Sequence, residues 1–145
     1  MRTIGYLMGD IVVIKDPEKS KEIYNSGFYG WFEENSENLH LSLIEGAYLI
    51  KKNKLEVYPA EKDLPLSDED YFNYALSRDN EFNIKYEVYR DLRDRGYTVK
   101  TGLKYGTHFR VYERGVKPRK GIRAGHEHAK YLVPVSYTHL RAHET

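Results

Sequence analysis

Apolar side chains along this chain follow two periods, and each switch between them marks a predicted element. Residues 3–14 (TIGYLMGDIVVI) read as two β-type runs broken at Gly9 and Asp10, a pair that favours a hairpin turn. Asp16 followed by Pro17 predicts an N-cap with proline in the first helical turn. The helix over residues 18–26 ends by Gly27. Phe28, Tyr29, Trp31 and Phe32 crowd around Gly30. Large aromatics supply much of the buried area of a small domain, so this patch is assigned to a small N-terminal core, with base stacking as the alternative.

Residues 39–52 suit a helix, with Leu41, Ile44, Ala47 and Tyr48 on one face and Gly46 weakening it by ~1 kcal/mol against alanine. Asn53 is its expected C-cap, and residues 54–58 alternate as a strand. The proline-bracketed stretch 59–65 reads as a linker, which places a domain boundary near Glu61. Ser67 and Asp70 then open a helix to about Arg78 in a capping-box pattern. A longer helix covers 81–95, with Arg90, Asp91, Arg93, Asp94 and Arg95 on a solvated outer face and Gly96 as its C′ residue. Strands are expected over 97–100, 107–113 and 129–135. In the second of these, Phe109 and Val111 face one side while Arg110 and Tyr112 face the other.

The 145 residues suffice for one ordinary domain or two small ones, and the absence of cysteine excludes disulfides and thiolate metal sites. The longest aliphatic run, Ile11–Ile14, is far short of the ~20 apolar residues of a membrane span. The N-terminus lacks the layout of a secretion signal, so a soluble, cytoplasmic protein is expected, with no membrane partner. The net charge of +1 conceals an asymmetry. Residues 1–96 hold 13 Lys/Arg against 19 Asp/Glu, whereas residues 97–130 hold 9 against 2. Charge separated in this way suggests a polyanion site on the basic part; pairing of the two lobes, or of two subunits, is the alternative.

The segment HFRVY, preceded by KYG and followed by HAKYLV, resembles the catalytic domain of the archaeal type of tRNA-intron splicing endonuclease. The lead-in YEVYRDLRDRGYTVKTGL resembles the helix-to-strand passage of that family, and residues 41–58 resemble its N-terminal domain. The resemblance implies an α+β fold: a small N-terminal αβ domain over 1–61, and over 62–135 an α/β nuclease domain with helices packed on a mixed β-sheet. It implies excision of introns from precursor tRNA at a bulge-helix-bulge. The reaction is a metal-independent attack of a 2′-hydroxyl on the adjacent phosphorus, leaving 2′,3′-cyclic phosphate and 5′-hydroxyl ends. It further implies a homo-oligomer, dimer or tetramer, in full-length members.

The family's catalytic tyrosine falls on Tyr112 and its histidine on His128. The chemistry asks for such groups. A base must take the proton of the attacking hydroxyl, and an acid must protonate the departing oxygen. A histidine with a pKa of about 6.5 suits the acid. A tyrosine, near 10, serves as base when cations lower its pKa, which the basic loop over 113–127 and Arg110 could do. Arg110, Lys117, Arg119 and Lys120 are the expected RNA contacts, to the phosphate backbone. His126 and His128 could be read as a metal pair, but no carboxylate or third histidine is arranged with them, so neither metal nor other cofactor is expected.

The chain also departs from the family. Pro134 interrupts a strand, and residues 136–145 carry no resemblance and read as translated adapter sequence. The family's third catalytic residue, a lysine in a helix after the histidine's strand, has no counterpart, so little cleavage is expected of this polypeptide. A non-catalytic structural subunit and a simple RNA-binding module stay open as alternatives.

Overall fold

The computed structural model describes residues 1–101, 108–113 and 131–134. The hairpin forms where Gly9 and Asp10 place it: β1 (Thr3–Met8) and β2 (Ile11–Ile14) pair antiparallel, with Gly9 at a φ of 65°. α1 (Pro17–Gly27) starts as expected, its N-cap Asp16 accepting the N–H groups of Glu18 at 2.9 Å and Lys19 at 3.3 Å.

The helix predicted over 39–52 begins later than its apolar spacing suggests. Leu39–Ser42 is strand β4, and α2 spans only Leu43–Lys51. The physical reason is a period-2 start: Leu39 and Leu41 are fully buried while His40 and Ser42 point to the other face. Ser42 then switches the chain into helix. Its Oγ accepts the Glu45 N–H at 3.2 Å, and Glu45 Oε1 accepts the Ser42 N–H at 3.0 Å, a reciprocal capping box. At the other end Lys52 is the C-cap, and Asn53, at a φ of 60°, follows it in the left-handed position. The Asn53 N–H bonds Ile50 O and the Lys54 N–H bonds Leu49 O, which closes the helix as a Schellman motif.

α2 is the centre of the first unit, buried almost all round, as a helix apolar on every side must be. Glu45 is buried too; its Oε2 accepts the Gly30 N–H at 2.7 Å and so anchors the aromatic segment. Of that segment, Tyr29 enters the core and stacks on Tyr48. Trp31–Phe32 form the short strand β3. β5 (Leu55–Tyr58) pairs parallel with β1, completing a mixed sheet in the order β3-β4-β2-β1-β5.

α3 (Asp68–Arg78), capped by Ser67, packs against α2. The Tyr71 hydroxyl donates to Leu43 O at 2.7 Å, and a Cβ at Gly46 would collide with that hydroxyl, so glycine there serves close approach. This packing carries the first compact unit through Met1–Phe82; the second comprises Asn83–Thr145. The linker-like stretch 59–65, where the sequence places a boundary, lies within the first unit by this division.

The second unit holds α4 (Phe82–Asp94, whose first residue closes the first unit), β6 (Thr98–Lys100), β7 (His108–Tyr112) and β8 (Tyr131–Pro134). α4 ends as its sequence predicts: Gly96 takes a φ of 95°, its N–H bonds Arg93 O at 2.8 Å, and the Tyr97 N–H bonds Leu92 O. The three strands pair antiparallel in the order β6-β7-β8. Pro134 sits on β8, an edge strand among the described strands, where a missing donor is tolerated. No described helix is long and apolar enough to cross a membrane.

Candidate active site

β7 is the middle strand of the second sheet, and its register brings Tyr112 opposite Thr98 of β6, and Arg110 opposite Lys100 and Leu132. Phe109 and Val111 are buried on one face, where the Tyr89 ring of α4 meets Phe109 edge-on at 6.0 Å. Tyr112 alternates to the opposite face together with Arg110, as the sequence predicts.

Tyr112 is a fully buried side chain. Burial raises its pKa above the ordinary value of 10.0; the Arg110 guanidinium pulls it down but does not win. Desolvation penalises the phenolate, and a single half-buried arginine cannot repay it. Arg110 acts on Tyr112 in the expected direction, and the basic stretch 114–127 lies outside the described residues. His128, His126, Lys117, Arg119 and Lys120 lie outside the described residues.

Arg93 was missed by reading the outer face of α4 as solvated. It is 8% exposed; its Nε donates to the Tyr89 hydroxyl at 3.0 Å and its Nη2 to Val99 O at 3.1 Å. The arginine thus ties α4 to β6, the strand that pairs with β7 beside Tyr112. A signal was present: Phe82, Tyr86, Tyr89 and Arg93 follow the three-four spacing of a buried helical stripe, and all four are buried. Arg90 and Arg95 do sit at the surface, paired with Glu87, Asp94 and Asp91.

An αβ unit with a mixed sheet, followed by a unit whose antiparallel sheet holds a buried tyrosine beside an arginine, makes this a two-unit α+β protein with an ionisable group set into its second sheet. Residues 3–72 match the tRNA intron endonuclease N-terminal domain, and residues 82–144 match the tRNA intron endonuclease catalytic C-terminal domain. The chain belongs to the tRNA intron endonuclease family. The second match runs through 136–144, where the residues by themselves suggested no resemblance.

Full-length relatives agree. The chain is 45% identical over 130 residues to the tRNA-splicing endonuclease of Thermococcus kodakarensis, a stretch covering 90% of this chain and 70% of that protein. It is 42% identical over 134 residues to the tRNA-splicing endonuclease of Nanoarchaeum equitans, covering 92% and 71%. The tRNA-splicing endonuclease of Methanothermobacter thermautotrophicus is 42% identical over 135 residues, covering 93% and 72%.

Proposed function

We propose that this chain supplies the cutting site of an endonuclease that excises introns from precursor tRNA at bulge-helix-bulge junctions. The observation that carries the reading is Tyr112 at the end of the central strand of the unit that matches the catalytic domain, with Arg110 on the same face. In the proposed reaction the 2′-oxygen forms a bond to the adjacent phosphorus and the bond to the 5′-oxygen breaks. Tyr112 as phenolate takes the 2′-hydroxyl proton, and His128 as imidazolium protonates the leaving 5′-oxygen. The products carry a 2′,3′-cyclic phosphate and a 5′-hydroxyl. Arg110 and the basic stretch hold the phosphates, and no metal enters the step.

The raised pKa of Tyr112 sets the pH dependence. The base has the higher pKa and the acid the lower, so the reactive form is a minor one throughout. Its fraction is constant between the two pKa values, because each gain in phenolate with pH is offset by an equal loss of imidazolium. Cleavage is therefore expected to be flat from above the imidazole's titration to beyond about pH 10, where the buried phenol titrates, and to fall on either side.

The test is single-turnover cleavage of a bulge-helix-bulge RNA by a chain extended through the family's catalytic lysine. Tyr112→Phe and His128→Ala should each abolish most cleavage with RNA binding retained. A second reading, a non-catalytic structural subunit, is favoured by the complete burial of Tyr112. Unchanged cleavage by the Tyr112→Phe chain mixed with a partner subunit would establish it in place of the first.

A further inference from the structure

The two faces of the five-stranded sheet are unlike. One face packs into the core through Val12, Ile14, Leu39, Leu41, Leu55 and Val57. The strand registers line up Trp31, His40, Val13, Tyr6 and Tyr58 across the other, in one row spanning all five strands. Trp31 stacks on His40, with ring centroids 5.8 Å apart, and Tyr6 and Tyr58 sit 6.3 Å apart. Tyr6 is 37% exposed, and Ile4 and Met8 beside it are 43% and 55% exposed. His40 Nδ1, under this row, is buried without a hydrogen-bond partner among the described residues.

Charge on this face differs from charge on the rest of the unit. Lys15 Nζ lies 4.7 Å from the Tyr6 ring centre. Arg2 and Lys54 border the same face by strand alternation, and the acids there are Glu56 and Glu33, the latter bonded to Trp31 Nε1. Three cations thus face two acids, while the remainder of residues 1–82 holds six cations and fourteen acids. A half-exposed row of rings, with Ile4 and Met8 open beside Tyr6, calls for a partner. A cation in the middle of that row disfavours a dry protein interface, whose core is depleted of charge. Unpaired RNA meets both demands, because base faces stack on the rings and a phosphate pairs with the lysine.

We infer that the outer face of this sheet is a second RNA-contacting surface, which holds unpaired nucleotides of the precursor. The inference rests on the proposed RNA substrate, and its test is separable from that reading. Trp31 is the only tryptophan in the chain and reports on the surface directly. The 145-residue chain is titrated with short single-stranded oligoadenylate and with a duplex of equal length, following tryptophan emission and anisotropy.

Saturable quenching by the single strand is expected, stronger than by the duplex. Tyr6→Ala with Tyr58→Ala should weaken binding at least about fivefold, and Lys15→Glu, at an exposed position, should weaken it without touching the core. Tyr6→Phe, which keeps the ring, should leave it unchanged. Absence of quenching, or unchanged affinity in Lys15→Glu and in a folded double variant, overturns the inference. So does self-association in sedimentation that Tyr6→Ala abolishes while RNA affinity stays constant, which would make the face a protein interface. Intact quenching with an extended chain that never cleaves supports the surface and removes the proposed function. Cleavage without quenching does the reverse.

Discussion

The two sheets use tyrosine in opposite ways. On the five-stranded sheet, Tyr6 stands on the face opposite the core, its ring under a lysine and open to solvent. On the three-stranded sheet, Tyr112 is sealed in, and burial holds its hydroxyl protonated against the pull of Arg110. Tyr71 adds a third case. It is as buried as Tyr112, but its hydroxyl is committed to Leu43 O, and burial together with Glu45 pushes its pKa well above 10.0. Burial alone therefore does not mark a tyrosine for chemistry. Nor does a nearby cation, since Tyr89 is equally buried and its hydroxyl accepts from Arg93; Tyr112 differs in having its cation, Arg110, on its own strand face.

Substitutions at these positions should separate the three uses. The largest effect is expected at Tyr112: in an extended, cleaving chain, Tyr112→Phe should lower the single-turnover rate by about 100-fold or more, the range of acid–base catalysis. Loss of stability without loss of rate would assign Tyr112 to the core, with Tyr71. Arg93→Met comes next. It leaves the Tyr89 hydroxyl and Val99 O without their buried donor, and should cost about 2 kcal/mol or more in urea unfolding.

Tyr71→Phe should cost about 0.5–1.5 kcal/mol by removing the hydroxyl's bond to Leu43 O. It also tests the alkaline limb. Because the folded pKa values of Tyr71 and Tyr112 lie above the unfolded value of about 10, their contribution to stability is complete below that pH. It is lost as pH rises through the folded values, where the unfolded chain sheds the proton first. The urea midpoint should fall above pH 10, and less steeply in Tyr71→Phe. Ser42→Ala, which removes one side of the capping box, should cost about 1 kcal/mol. Tyr6→Phe should stay within about 0.5 kcal/mol of the parent, as exposed positions do.

Local chemistry was legible wherever it acts over a few residues. The Gly9–Asp10 turn, the caps at Asp16 and Ser67, and the left-handed end at Gly96 were all readable, because each depends on one side chain and the nearest backbone groups. The start of α2 was misread because Leu39 and Leu41 satisfy both periods. The deciding residues, Ser42 and Glu45, make a capping box that sits inside the apolar run instead of before it. Arg93 was misread because an arginine on a charged helix face has the same local signature whether or not a carbonyl waits behind it; only the placement of Val99 settles that.

Of the candidate site, the pattern of β7 by itself determined which residues share a face with Tyr112, since alternation follows from strand geometry. Only the tertiary structure decided how deeply Tyr112 is buried, and with that the direction of its pKa. Desolvation is a property of everything packed around a group, and no single stretch of sequence carries it. The same holds for the outer face of the first sheet. Each strand announced its own alternation, but the row from Trp31 to Tyr58 exists only because pairing brings residues 31, 40, 13, 6 and 58 into one register.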